Sequence, residues 1–140
     1  MTPLHNAPDV IRPSFTRQDG RGILTELLNS GQWQSLLYGD MQTGAVIGNH
    51  YHEKTDVFFF ILSGSAFVFR IDPASGLPSP HQQLRAHEGT FLKAGVAHAI
   101  RFSTDSAFVM AKSLRYDPNH PDTVTYHVLD VPSWQVVKTS

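Results

Sequence analysis

The sequence predicts an all-β fold of short antiparallel strands, and three observations predict it. From Gln32 onward, short apolar and aromatic stretches alternate with turns rich in Gly, Pro, Asn and Asp, the pattern of a sandwich or barrel. The only stretch with helix-like apolar spacing, Ile23 to Leu28, is stopped at once by Asn29-Ser30-Gly31, and we read it as a strand. The 140 residues, 41% hydrophobic and 16% charged, suit one ordinary domain with its own core.

The elements follow in order. Residues 1–14, rich in Pro and polar groups, are expected to be an N-terminal arm, disordered or laid against a neighbouring subunit, with a single domain over 15–140. Asp19-Gly20-Arg21-Gly22 reads as a turn. Strands are expected at Trp33–Tyr38 and Ala45–His52. Val57–Leu62 and Ala66–Ile71 form a hairpin about Ser63-Gly64-Ser65, rich in the aromatic and β-branched residues that suit a pleated surface. The segment 72–80, with three prolines, is an exposed loop. His81–Ala86, Thr90–Lys93, Ala97–Phe102, Ala107–Leu114 and, after the turn at 117–122, Val124–Leu129 complete the series. Such a chain closes its sheet edges most simply as a barrel.

Composition excludes several classes of function. There is no cysteine, so disulfides, thiolate metal sites and cysteine nucleophiles are absent. A net charge of −1 gives no electrostatic reason to expect nucleic acid or an anionic membrane as partner. The longest apolar run, Val57 to Leu62, is far short of the roughly 20 residues of a membrane helix. No secretory signal pattern opens the chain, and a cytoplasmic location is expected.

Eight histidines are the compositional oddity. His50 and His52 are two apart in an expected strand, so their rings share a face. Two adjacent imidazoles can chelate a divalent ion or exchange protons with coupled pKa values. They can also be a solvent-facing pair on an edge strand. Gly44 stands six residues before His50 and Gly64 twelve after His52. Further on comes Gly89-Thr90-Phe91-Leu92-Lys93-Ala94-Gly95-Val96-Ala97-His98.

With these glycines the sequence resembles the cupin superfamily. Its first motif is Gly-x5-His-x-His-x(3,4)-Glu-x6-Gly and its second Gly-x5-Pro-x-Gly-x2-His-x3-Asn. Gly44, His50, His52 and Gly64 match the first in its longer form; Gly89, Gly95 and His98 align with the second across a shorter interval. The resemblance implies a double-stranded β-helix, a jelly-roll-like barrel, with His50, His52 and His98 facing one cavity. It implies a divalent metal there (Zn, Ni, Mn or Fe) on those three residues. The motif glutamate falls on Val57, the motif proline is missing near Lys93-Ala94, and the final asparagine falls on Phe102. Glu53 and Asp56 read as solvated turn residues, because Asp56 in a regular strand faces away from the histidines.

Shorter similarities point within the superfamily. Asp19 to Glu26 resembles the segment preceding the first sheet strand of dTDP-sugar epimerases and ketoisomerases. Gly48 to His52 resembles the cupin domain of bifunctional capsular-polysaccharide enzymes. Phe102 to Ser106 with Tyr116-Asp117 resembles the end of dTDP-4-keto-6-deoxyglucose 3,4-ketoisomerases, in which two strand histidines move protons without metal. The implied function is isomerisation or epimerisation of a small sugar-like or sugar-nucleotide substrate, with His50 and His52 as the proton-transfer pair. A metal-free ketoisomerase, a metal-dependent oxygenase and a non-catalytic small-molecule-binding module are the alternatives. Histidine suits proton transfer beside a carbonyl because its pKa lies near neutrality. Tyr51 is expected on the opposite face, Arg21 could meet a phosphate, and Tyr38 and Arg101 are candidates for the barrel mouth. His5, His81, His87, His120 and His127 receive no role. A homodimer is expected, because pairing removes exposed sheet edges.

Overall fold

The computed structural model describes residues 9–130 and 136–137. Twelve strands appear among them: β1 (Phe15–Asp19), β2 (Gly22–Glu26), β3 (Ser35–Met41), β4 (Val46–His52), β5 (Val57–Ser63), β6 (Ser65–Ile71), β7 (Gln82–Arg85), β8 (Glu88–Leu92), β9 (Ala97–Phe102), β10 (Ser106–Lys112), β11 (Thr123–Thr125) and β12 (Val136–Val137). The described residues contain no helix, and therefore none long and apolar enough to cross a membrane.

Two sheets face each other in a jelly-roll-like arrangement. One has the order β3-β10-β5-β8; the other runs β11-β4-β9-β6-β7, with β12 added parallel to β4. The all-β expectation holds, but the sheets do not close on themselves, so the two layers form an open sandwich. The space between them is filled by side chains rather than spanned by ladder hydrogen bonds. At the β8 edge, Ile11 exchanges both backbone hydrogen bonds with Gly89, at 2.7 and 2.8 Å. Of the expected arm, residues 1–8 lie outside the described residues, while the stretch from Asp9 runs along β8 of its own chain.

The apolar run at 57–61 is continuous because β5 is covered on both faces. Val57, Phe59 and Ile61 point between the sheets, where they meet Ile47, Val68, Leu84 and Phe102. Phe58 and Phe60 point outward, under Leu27, Leu28, Trp33 and Ile11. Phe59 is fully buried, and Phe59→Ala is expected to cost about 3–5 kcal/mol of stability, read as a lowered urea midpoint at unchanged slope.

Two stretches differ from the sequence expectation. Residues Phe15–Asp19 form a strand paired with Gly22–Glu26 across the turn that had been expected. Their polar, mostly exposed side chains carry no burial pattern to read. The strand expected at Val124–Leu129 is confined to Thr123–Thr125, because from Tyr126 onward the backbone bonds to Asn49 rather than to a ladder.

Candidate functional site

Two neighbouring strands bring three histidines together at one end of the sandwich. His50 and His52 come from the end of β4, and His98 comes from β9 directly opposite His50. All three are buried between the sheets, with ring centroids 4.9 Å apart for His50–His52, 4.8 Å for His50–His98 and 6.0 Å for His52–His98. One nitrogen from each lies within 4.8 Å of the others. The three rings that the motif resemblance implies face one cavity are together in space. A bulge between Gly48 and His50 in the β4–β9 pairing sets their direction.

Val57 lines the inner cavity with the histidines, at the motif-glutamate position. Asp56 does not line it: its carboxylate accepts the Ala94 amide at 2.9 Å, and its own amide donates to the Ser113 hydroxyl. The cavity does receive Lys112, from β10 and directly opposite Val57, buried to 4% exposure. Sequence reading missed Lys112. The signal was a lysine two residues beyond inward-facing Met110, an alternation that puts its ammonium inside.

Each ring has a different environment. The His52 Nδ1 lies 3.3 Å from the Thr123 hydroxyl and 3.8 Å from the Asp122 carboxylate. Asp122 is held by the Lys54 amide (2.8 Å), the Thr55 amide (3.0 Å) and the Thr55 hydroxyl. Partial burial works against its charge, but those bonds keep its carboxyl below the usual range. His98 Nδ1 is buried and makes no hydrogen bond; the Val96 carbonyl favours its charged form without reaching hydrogen-bond geometry.

Burial lowers the pKa of all three histidines. His50 falls to about 4, through desolvation first and then His52 and Lys112. His52 is lowered by burial and Lys112, against an upward pull from Asp122. His98 is pushed well down by burial, then by its two neighbours. Lys112 is itself lowered by burial. The rings are therefore neutral near pH 7. A histidine with a depressed folded pKa takes up fewer protons than the unfolded chain below about 6.5, so it costs stability as pH falls. Stability is expected to decline from pH 6.5 towards 4, the window set by His50, and urea midpoints across that range will measure it.

Three neutral imidazoles at this spacing suit a divalent ion by donor type and distance. Charge does not suit it. Among the described residues no carboxylate lines the inner cavity, Val57 stands where one is needed, and Lys112 brings a cation. The set suits an anionic or neutral oxygen better than a dication.

Outside the histidines a cleft of about 560 Å³ opens, walled by His52, Lys54, Lys112, Arg115, His120 and Asp122 among others. His120, given no role from sequence, stands at this cleft. Arg21 is on the β1–β2 turn, bonded to Asp19 at 2.7 Å. Tyr38 is exposed on β3, and Arg101 lies over the Phe69 ring; none of the three lines the cleft or the inner cavity. Tyr51 faces away from the histidines and packs near Tyr126. His81 and His87 pack on phenylalanines, His127 is exposed, and His5 lies outside the described residues.

No protein-family model and no curated protein matches the chain. Solved structures do. A dTDP-4-dehydrorhamnose 3,5-epimerase from Sulfolobus tokodaii superposes with TM-score 0.70 at 19% identity, over 91% of this chain and 82% of that one. A variant of the 3,4-ketoisomerase QdtA from Thermoanaerobacterium thermosaccharolyticum, in complex with TDP-4-keto-6-deoxyglucose, gives 0.65 at 17%, over 83% and 85%. The capsular polysaccharide assembling protein CapF from Staphylococcus aureus gives 0.64 at 23% over 81% of this chain, which spans about a third of that protein (32%). The fold is the one these epimerase, ketoisomerase and CapF structures share.

Proposed function

We propose that this cupin-fold chain is an isomerase or epimerase that moves a proton beside the carbonyl of a sugar-like substrate, with a sugar nucleotide as the substrate class. The observation that carries the reading is a buried, neutral His52, oriented by Thr123 and Asp122, beside the ammonium of Lys112. A neutral imidazole backed by a carboxylate is a general base, because the carboxylate stabilises the imidazolium that forms.

The step balances within the substrate, these side chains and solvent protons. His52 takes the proton from the carbon next to the carbonyl, and the C–H electron pair becomes the C=C bond of an enolate. The carbonyl π electrons pass to oxygen, where Lys112 offsets the charge. Inversion at the same carbon takes a proton from solvent in the cleft on the face opposite His52, and the His52 imidazolium then releases its own proton to solvent. Where the starting carbon bears a hydroxyl, the His52 imidazolium returns its proton to the former carbonyl carbon while the hydroxyl proton passes to the enolate oxygen, and the carbonyl is relocated. His50, lowered to about 4 by burial and then by His52 and Lys112, stays neutral beside His52 and takes part in the step as an uncharged hydrogen-bonding ring.

Ketone substrates of nucleotide type are supported by the ligand of the ketoisomerase structure and by the cleft. Lys54 and Arg115 at its mouth place positive charge where a diphosphate would lie. A divalent metal on His50, His52 and His98 is the second reading, favoured by the nitrogen spacing. The exposed hairpin β1–β2 and the edge strand β3, with exposed Leu36 and Tyr38, support a homodimer.

The test is incubation of the purified protein with TDP-4-keto-6-deoxyglucose in D2O, with and without chelator, read by mass spectrometry alongside metal analysis. Deuterium entering the sugar, unaffected by chelator, is the expected result. Exchange lost on chelation with a stoichiometric metal supports the second reading. Stoichiometric iron without exchange favours an oxygenase, and binding without exchange a non-catalytic module. Either overturns the proposal.

A further inference from the structure

The direction of His50 and His52 conflicts with simple strand alternation. Ile47 faces the interior in register with Ile100, and His50 faces it in register with His98. Ile100 and His98 are two residues apart, as alternation requires, but Ile47 and His50 are three apart. A regular β4 that buries Ile47 would carry both histidines to the outer face, because a one-residue shift exchanges the faces of everything beyond it. One additional residue restores the match, and Asn49 is that residue: it has no partner on β9.

The backbone there is committed to the bulge. Gly48 has φ 96° and Asn49 φ 57°. A Cβ at Gly48 would sit 2.8 Å from the His98 carbonyl oxygen, so that position needs glycine. Asn49 occupies the left-handed region, which asparagine tolerates better than most residues but still at a cost. Asn49 is 4% exposed, and its side chain is hydrogen-bonded at both oxygen and nitrogen. Oδ1 accepts from the amides of Val128 (3.0 Å) and Leu129 (2.8 Å), Nδ2 donates to the Leu129 carbonyl (3.1 Å), and its own carbonyl accepts the Tyr126 amide (2.9 Å).

The geometry points to Asn49 as the positioning residue of the histidine site: clamped by the 126–129 backbone, it holds the bulge that turns His50 and His52 inward to meet His98. The same clamp anchors the segment that carries Asp122 and Thr123, the neighbours of His52, so one side chain holds both the rings and their orienting groups. The inference concerns where the rings point, and it stands or falls apart from the proposed reaction.

The test is modification by diethyl pyrocarbonate, followed residue by residue by mass spectrometry, for the native chain and for Asn49→Asp, Asn49→Gly and Asn49→Val. In the native chain His50, His52 and His98 are protected, against the exposed references His120 and His127. Val resists a positive φ and favours a regular strand. In Asn49→Val the rates at His50 and His52 are expected to rise at least about tenfold while His98 stays protected. Asn49→Gly keeps the conformation but loses the clamp, and is expected to show a smaller rise at the same two residues. Asn49→Asp keeps an oxygen to accept the Val128 and Leu129 amides but sets a second oxygen against the Leu129 carbonyl, and is expected to show a rise no larger than that of Asn49→Gly. Protection of His50 and His52 unchanged in both the Val and Gly variants would overturn the inference. So would a rise shared equally by His98, which marks general loosening; if the Val variant does not fold, the Gly variant decides by the same criterion.

Discussion

Replacing His52 by asparagine is expected to lower turnover of a keto-sugar substrate by about 10² to 10⁴, the usual worth of a positioned general base. The change should fall on kcat more than on KM, because asparagine keeps a polar side chain of similar reach while losing the proton-accepting nitrogen. The native pH profile carries the second half of this prediction. Only neutral His52 is a base, and burial with Lys112 lowers its pKa against the opposing pull of Asp122. The acid limb of kcat/KM should therefore lie below the ordinary histidine value of about 6.5, with little change around neutrality. Asp122→Asn removes the anion that raises His52, so that limb should move to still lower pH while turnover falls. A limb at or above the ordinary value, or an unchanged limb in Asp122→Asn, would remove His52 from the base role.

Lys112→Met carries the other large effect. Methionine fills similar space without charge, so the variant isolates the ammonium. If Lys112 offsets the charge of an enolate oxygen, its loss should cost about 10² to 10³ in turnover, the range for removing one such stabilising group. The ammonium also depresses His50 and His52, so in Lys112→Met both become more basic and the acid limb moves up in pH. Zinc titration of the two proteins checks the electrostatic side without any substrate. Removal of the cation from beside three imidazoles should tighten zinc binding, and equal affinity in the two proteins would show that Lys112 does not act on the cavity. Together the two variants separate base from charge stabiliser, since one moves the acid limb only by removing it and the other shifts it upward.

Much of this was legible in the chain because it depends on short-range pattern. Alternation at Ser65–Ile71, the doubly covered run at Val57–Ile61 and the turns at Gly64 and Gly95 announce strands and their limits locally. The convergence of His50, His52 and His98 was legible from motif spacing, and Val57 at the carboxylate position was visible in the same way. The strand at Phe15–Asp19 was not, because an exposed hairpin has no burial pattern to display.

What the sequence determined by itself is the all-β character, the strand series and the shared face of His50 and His52, since each follows from period, turn chemistry and spacing along the chain; His98 joined them there only through the resemblance of the two motifs. The tertiary structure alone decided that the sheets stay open, that Lys112 and Asp122 flank the histidines, and that Asn49 turns β4 to face them inward. The physical reason is the range of the interactions. Lys112 meets the cavity across a pairing of β10 with β5, Asp122 is held by Lys54 and Thr55 from some 67 residues away, and Asn49 is clamped by backbone 80 residues downstream. No local periodicity encodes contacts of that kind, because they exist only once the two sheets have come together.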